Sequence, residues 1–137
     1  MLVPNDLRYS TDHQWVRAEG DFWRVGITDF AQDALGEVTM VQVVAVDATI
    51  ATGEEMGEIE AFKAMTDLYM PAEAVVVEHN PALTAAPTAV NTDPYGTGWL
   101  CIVRPVANDA LDDLLDADGY RAPVSYTHLT LPTTPYV

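Results

Sequence analysis

Residues 56 to 77 constrain the fold more than any other stretch. Met56-Gly57-Glu58-Ile59-Glu60-Ala61-Phe62 alternates apolar and polar side chains with a period near two, the pattern of a strand with one face buried. Leu68-Tyr69-Met70-Pro71 and Ala74-Val75-Val76-Val77 are again apolar and β-branched. Two strands therefore flank a short connector, and the connector carries Lys63 at an exposed tip.

Lys63 is the only lysine in the chain; every other cationic side chain is arginine. A bias toward arginine explains the rest of the set, but it leaves one lysine whose amine is chemically needed. Arginine cannot stand in for it: a guanidinium stays protonated and attacks poorly, whereas a lysine amine is acylated or forms a Schiff base. The alternative is a solvated turn charge with no chemistry.

The chain has 137 residues, enough for one domain with a two-layer core. Cys101 is the single cysteine, so an intrachain disulfide is excluded, in keeping with a reducing compartment. It lies in the apolar run Trp99-Leu100-Cys101-Ile102-Val103 and reads as a buried, inert thiol. Met1-Leu2-Val3-Pro4-Asn5-Asp6 has neither the basic start and apolar run of a signal peptide or anchor nor the arginines of a transit peptide, so a cytoplasmic location is expected. With 21 acidic and 6 basic residues the formal charge is −15, which argues against nucleic acid or anionic lipid as a partner. An acidic carrier steered into basic mouths of partner enzymes fits that charge, and so does solubility alone.

Along the chain, a strand through Gln14 to Arg17, a turn at Glu19-Gly20-Asp21 and a returning strand Phe22 to Ile27 form a hairpin. A short helix is expected over residues 28 to 36, with Thr28 as N-cap residue, Asp29 and Gln32 as capping-box mates and Gly36 as stop. Val38 to Val46 is rich in valine, and Ala48 to Ala51 leads to a turn at Thr52-Gly53-Glu54 before the lysine hairpin. Asn80-Pro81, Ala86-Pro87 and Asp93-Pro94 mark loop, and Gly98 to Arg104 is the last strand. A C-terminal helix is expected from Asn108 to Gly119, its Leu111, Leu114 and Leu115 stripe packed on the sheet. The result is a mainly β domain with two brief helices.

No other active site is suggested. His13, His79 and His128 are scattered without metal-ligand spacing, Ser10 and Ser125 lie in no nucleophile elbow, and Gly96-Thr97-Gly98 is a weak echo of a phosphate loop. A catalytic residue or metal ligand is therefore not expected.

The motif around the lysine resembles the attachment hairpin of lipoyl proteins, and in its detail the glycine cleavage system H protein family: Glu60 three residues before Lys63, Ala64 after it, and Asp67-Leu68-Tyr69 followed by Pro71. Arg8-Tyr9-Ser10 with His13 and Trp15 is similar to the family's opening. Val25 to Thr28 with Ala31-Gln32 and Leu35-Gly36 resembles its first helix, and Val90-Asn91, Asp93 to Gly96 and Gly98-Trp99 its late loop. The likeness covers nearly all of residues 4 to 122. Two departures stand out: Gln42-Val43-Val44 replaces an acid-Leu-Pro segment, which should loosen the turn before Asp47, and Ala74 replaces a glycine. If that glycine has positive φ, alanine costs roughly 1 kcal/mol there.

The resemblance implies a barrel-sandwich hybrid fold over residues 1 to 123 and a monomeric carrier, not an enzyme. A lipoyl ligase or transferase would acylate Lys63 with lipoic acid, with Glu60 and Asp67 as the residues it recognises. The client partners implied are a glycine decarboxylase, an aminomethyltransferase and a dihydrolipoyl dehydrogenase, between which the arm would shuttle the aminomethyl group of glycine. Residues 124 to 137 carry no formal charge and resemble the in-frame translation of a transposon-end sequencing adapter, so they are expected to be a non-native, disordered tail; a natural disordered terminus is the alternative. Three other readings stay open: an H-like lipoyl protein that donates or relays lipoate in another pathway, a Schiff-base enzyme using Lys63, and a biotin carrier. The last usually has methionine on both sides of its lysine, where this chain has Phe62 and Ala64.

Overall fold

A computed structural model describes residues 3–62, 64–107, 111 and 114–120. Among the described residues, nine strands make two antiparallel sheets packed face to face. The six-stranded sheet takes β1 (Arg8–Tyr9), β2 (Gln14–Glu19), β3 (Phe22–Ile27), β9 (Cys101–Pro105), β8 (Ala74–His79) and β5 (Thr49–Ile50), in that spatial order. The three-stranded sheet takes β4 (Val38–Val43), β6 (Glu55–Ala61) and β7 (Met65–Tyr69), with β6 central. This is the mainly β, two-layer architecture expected from the strand pattern.

Alternation along the strands builds the core. Val25 and Val103 from one sheet and Ile59 and Leu68 from the other are buried in one continuous cluster. A second cluster, with Tyr9, Trp15, Tyr95 and Tyr120, covers the outer face of β1 and β2. Trp15 lies across its cross-strand neighbour Gly26, where a Cβ would meet the indole ring at 2.5 Å, so glycine at 26 is what lets the tryptophan lie flat.

The β2–β3 hairpin forms in the expected register, Glu19 opposite Phe22, with Gly20 at a φ of 66° in the loop. Helix α1 (Asp29–Leu35) also forms, with Gly36 as its stop. Its N-cap is the residue with which the expected segment begins, but the capping box does not form. Thr28 is the N-cap, its hydroxyl accepting from the Ala31 N–H, while Gln32 turns sideways to donate to Asp29 at 2.7 Å and to accept from Asn91. A capping box needs Glu or Gln three residues after the cap, and after Thr28 that position is Ala31.

The stretch read as loop after β8 contains two single-turn helices, α2 (Ala82–Ala85) and α3 (Ala89–Thr92). Pro81 and Pro87 stand at or just before their first turns, where a missing N–H costs nothing, and Pro94 follows the end of α3. At the C-terminus, Leu111 stands in a 3-10 turn and residues 117–120 are helical. Leu115 instead forms a bridge with Tyr9, and Gly119 lies within the helical turn rather than ending it. Leu111 and Leu114 do pack against the main core, as expected of the leucine stripe. Asn108 and residues 124 to 137 lie outside the described residues.

The expectation for Ala74 is corrected. It does not have positive φ; among described non-glycine residues only His13 and Asp47 do. Ala74 opens β8 in extended backbone, buried, paired with Ile50 and Pro105, because the turn before it ends at residue 73. The turn around Asp47 is tied without a proline: the Asp47 N–H donates to Val76 O at 2.7 Å and the Ala48 N–H to Ala45 O at 3.2 Å.

Candidate functional site

Strands β6 and β7 form the hairpin expected around the lysine. Their ladder runs from Glu55 opposite Tyr69 to Glu60 opposite Met65. At its end the Ala61 N–H donates to Ala64 O at 2.9 Å, and the Phe62 N–H donates to Glu37 O at 3.0 Å, which ties the tip to the start of β4. Lys63 lies outside the described residues; its neighbours Phe62 and Ala64 are both exposed.

Glu60 and Asp67 stand two ladder positions apart, so both side chains face the same outer side of the sheet. The pairing adds a residue that sequence reading did not single out: Glu58 sits directly opposite Asp67. Like charges facing one another across a ladder are unfavourable. Register alone reveals this pair, because Glu58 and Asp67 lie nine positions apart in the sequence. The field of Asp67 also reaches the Tyr69 hydroxyl, 3.5 Å from its carboxylate, and pushes that phenol above its ordinary range.

Beside the hairpin runs a groove of about 350 Å³ between β7 and α1. Ile27, Phe30, Leu35 and Leu68 give it an apolar wall, and Asp12 and Asp67 place carboxylates along it. The wall is fixed by side-chain hydrogen bonds. Buried Gln14 donates to Tyr69 O at 2.6 Å and accepts from the Tyr69 N–H at 2.9 Å, so its amide acts as a one-residue strand against the edge of β7. His13, at a φ of 65°, contacts Phe30 and shares a hydrogen bond with the Tyr120 hydroxyl at 2.9 Å. Burial pushes its imidazole below the ordinary 6.5, with Asp12 opposing.

The other described residues that the sequence raised are engaged within the fold. Cys101 is buried, and burial pushes its thiol up to about 12. At the weak phosphate-loop echo, the Thr97 N–H donates to the Asp93 carboxylate at 2.9 Å, so the loop closes on its own acid. His79 bonds Val44 O at 2.7 Å. Among the described residues no group of three or more His, Cys, Asp or Glu is arranged to hold a metal, and no helix is long and apolar enough to cross a membrane.

Comparison with known proteins decides the family. The family model described as Glycine cleavage H-protein matches residues 7–126. The chain belongs to the glycine cleavage H-protein family. A glycine cleavage system H protein from Bacteroides fragilis is 46% identical over 125 residues, covering 91% of this chain and 99% of that relative. One from Mycolicibacterium smegmatis is 50% identical over 127 residues, covering 90% and 97%. The crystal structure of a glycine cleavage system H protein from Mycobacterium marinum matches with a TM-score of 0.82 at 40% identity, over 90% of this chain and 99% of that one.

Proposed function

We propose that Lys63 is the residue acylated with lipoic acid, that Glu60 and Asp67 mark the hairpin for the acylating enzyme, and that the groove between β7 and α1 receives the arm. The chain is the carrier component of the glycine cleavage system, and lipoic acid is its covalent cofactor. The observation that carries the assignment of the site is the β6–β7 hairpin, whose last ladder pair is Glu60 with Met65 and whose tip in the sequence holds the chain's single lysine.

The residues present suit such an arm. A small exposed neighbour, Ala64, and an apolar groove opening beside it leave room for a long acyl chain. In the attachment step the lysine amine attacks the lipoyl carboxyl carbon, activated through ATP as its mixed anhydride with AMP. An amide bond forms, the bond to AMP breaks, and the amine gives up a proton. Lipoate supplies a strained disulfide that takes up two electrons together with a one-carbon unit. The chain's own part is to hold the arm at one place and offer it to successive enzymes, which raises the local concentration of the reactive group. Ile27, Phe30 and Leu68 shield it from water, and Asp12 and Asp67 favour a positively charged amine at the groove.

On this reading the chain is not itself an enzyme. It works as a cytoplasmic monomer, charged by a lipoyl ligase or transferase. Glycine decarboxylase, aminomethyltransferase and dihydrolipoyl dehydrogenase are the other components of the system to which the family belongs.

Reconstitution with those three enzymes, tetrahydrofolate and NAD tests it. Lipoylated native chain is expected to support glycine-dependent NADH formation, and Lys63→Arg to give none. A lipoylated chain that fails to stimulate glycine turnover would favour the relay of lipoate to another pathway.

A further inference from the structure

Phe62 and Met65 bracket Lys63 and are the most exposed large apolar side chains among the described residues, at 75% and 62%. One exposed apolar residue is ordinary, but two this exposed on either side of the same lysine concentrate apolar surface at the tip. Their backbone is held: Ala61 bonds Ala64 across the tip and Phe62 bonds Glu37. Around them stand Glu37, Glu58, Glu60 and Asp67, and the strands of this sheet contain no lysine or arginine. Arg8, Arg17, Arg24 and Arg104 all lie in the other sheet.

We infer that Phe62 and Met65 are the apolar anchor by which the enzyme that acylates Lys63 grips the hairpin, seated in an apolar socket whose rim carries arginine or lysine against this acidic collar. The inference rests on reading Lys63 as the acceptor. An apolar centre containing an aromatic and a methionine, ringed by charge, is the anatomy of a specific protein interface. Continuity with the lysine and the single sign of the collar select this partner: the socket must sit at the mouth of the site that receives the amine, and its rim must be basic. The two parts divide the work. The anchor sets the lifetime of the complex, while the acids steer its formation and weaken with salt.

The test is acylation of the full chain by a lipoyl ligase with lipoate and ATP, read by intact mass over time. Phe62→Ala and Met65→Ala are compared with Phe22→Ala, an exposed residue on the β2–β3 hairpin. Each anchor variant is expected to lower kcat/KM about 10-fold, at low and high salt alike, with Phe22→Ala at the native rate. Titration of ligase with Lys63→Arg chain, with and without Phe62→Ala, is expected to show a similar weakening of Kd without turnover. Native rates and Kd in the anchor variants would overturn the inference while leaving the acceptor reading intact. Absence of acylation in the native chain would remove the acceptor reading and this inference with it.

Discussion

Gln14 and His13 fix the groove, and neither role is legible in the sequence. Gln14 falls at the start of a strand and looks like an ordinary polar position. Only the fold brings the Tyr69 backbone against it, 55 residues away. Replacing it by leucine removes both hydrogen bonds and leaves the Tyr69 amide poorly satisfied, so Gln14→Leu should cost about 2–3 kcal/mol in denaturant unfolding. It should also speed hydrogen exchange at Tyr69. His13 was visible as one of three scattered histidines, but its burial depends on Phe30 and Tyr120 arriving from elsewhere. Burial lowers its folded-state pKa below 6.5, so its protonated form is disfavoured in the native state. That contribution to stability is intact above pH 6.5 and is lost as pH falls through the lower native value. Tm should therefore decline between roughly pH 7 and pH 5, and His13→Asn, which tolerates the left-handed backbone, should flatten the decline. An equal pH slope in the variant would contradict the assignment.

At the scale of elements, signals that repeat over several residues are legible in the sequence, and single turns are not. The β2–β3 and β6–β7 hairpins follow from alternation plus turn residues, both local properties. Helix α1 was legible because Thr28 and Gly36 bound an amphipathic turn. Helices α2 and α3 span one turn each, too short for a period to show, and they are held by contacts rather than propensity: Asn80 caps the first through the Ala82 N–H, and Asn91 in the second bonds Gly36 O and the Val38 N–H. Leu115 departs from the expected C-terminal helix because a leucine stripe looks alike whether its residues lie in a helix or on a bridge to β1. Ala74 shows the same limit with the sign reversed. Because it is extended and fully buried, Ala74→Gly should destabilise the chain by about 1 kcal/mol instead of relieving strain. A rise in the denaturation midpoint would contradict its place in β8.

For the molecule as a whole, composition gave the net charge of −15 but not its distribution. The strands segregate it: the four described arginines belong to the six-stranded sheet, and Glu55, Glu58, Glu60 and Asp67 to the sheet that carries the lysine hairpin. That separation arises from strand order, which a single sequence does not display. The proposed carrier site, by contrast, rests on one residue of the sequence, since a sole lysine between two strands with acids at fixed offsets leaves few chemistries open. The measurement that tests this most directly is the intact mass of the purified chain, with and without lipoyl ligase, lipoate and ATP, beside Lys63→Arg. The native chain is expected to gain one lipoyl group and the variant none. A folded native chain that gains nothing, or a variant that gains as much, would contradict it.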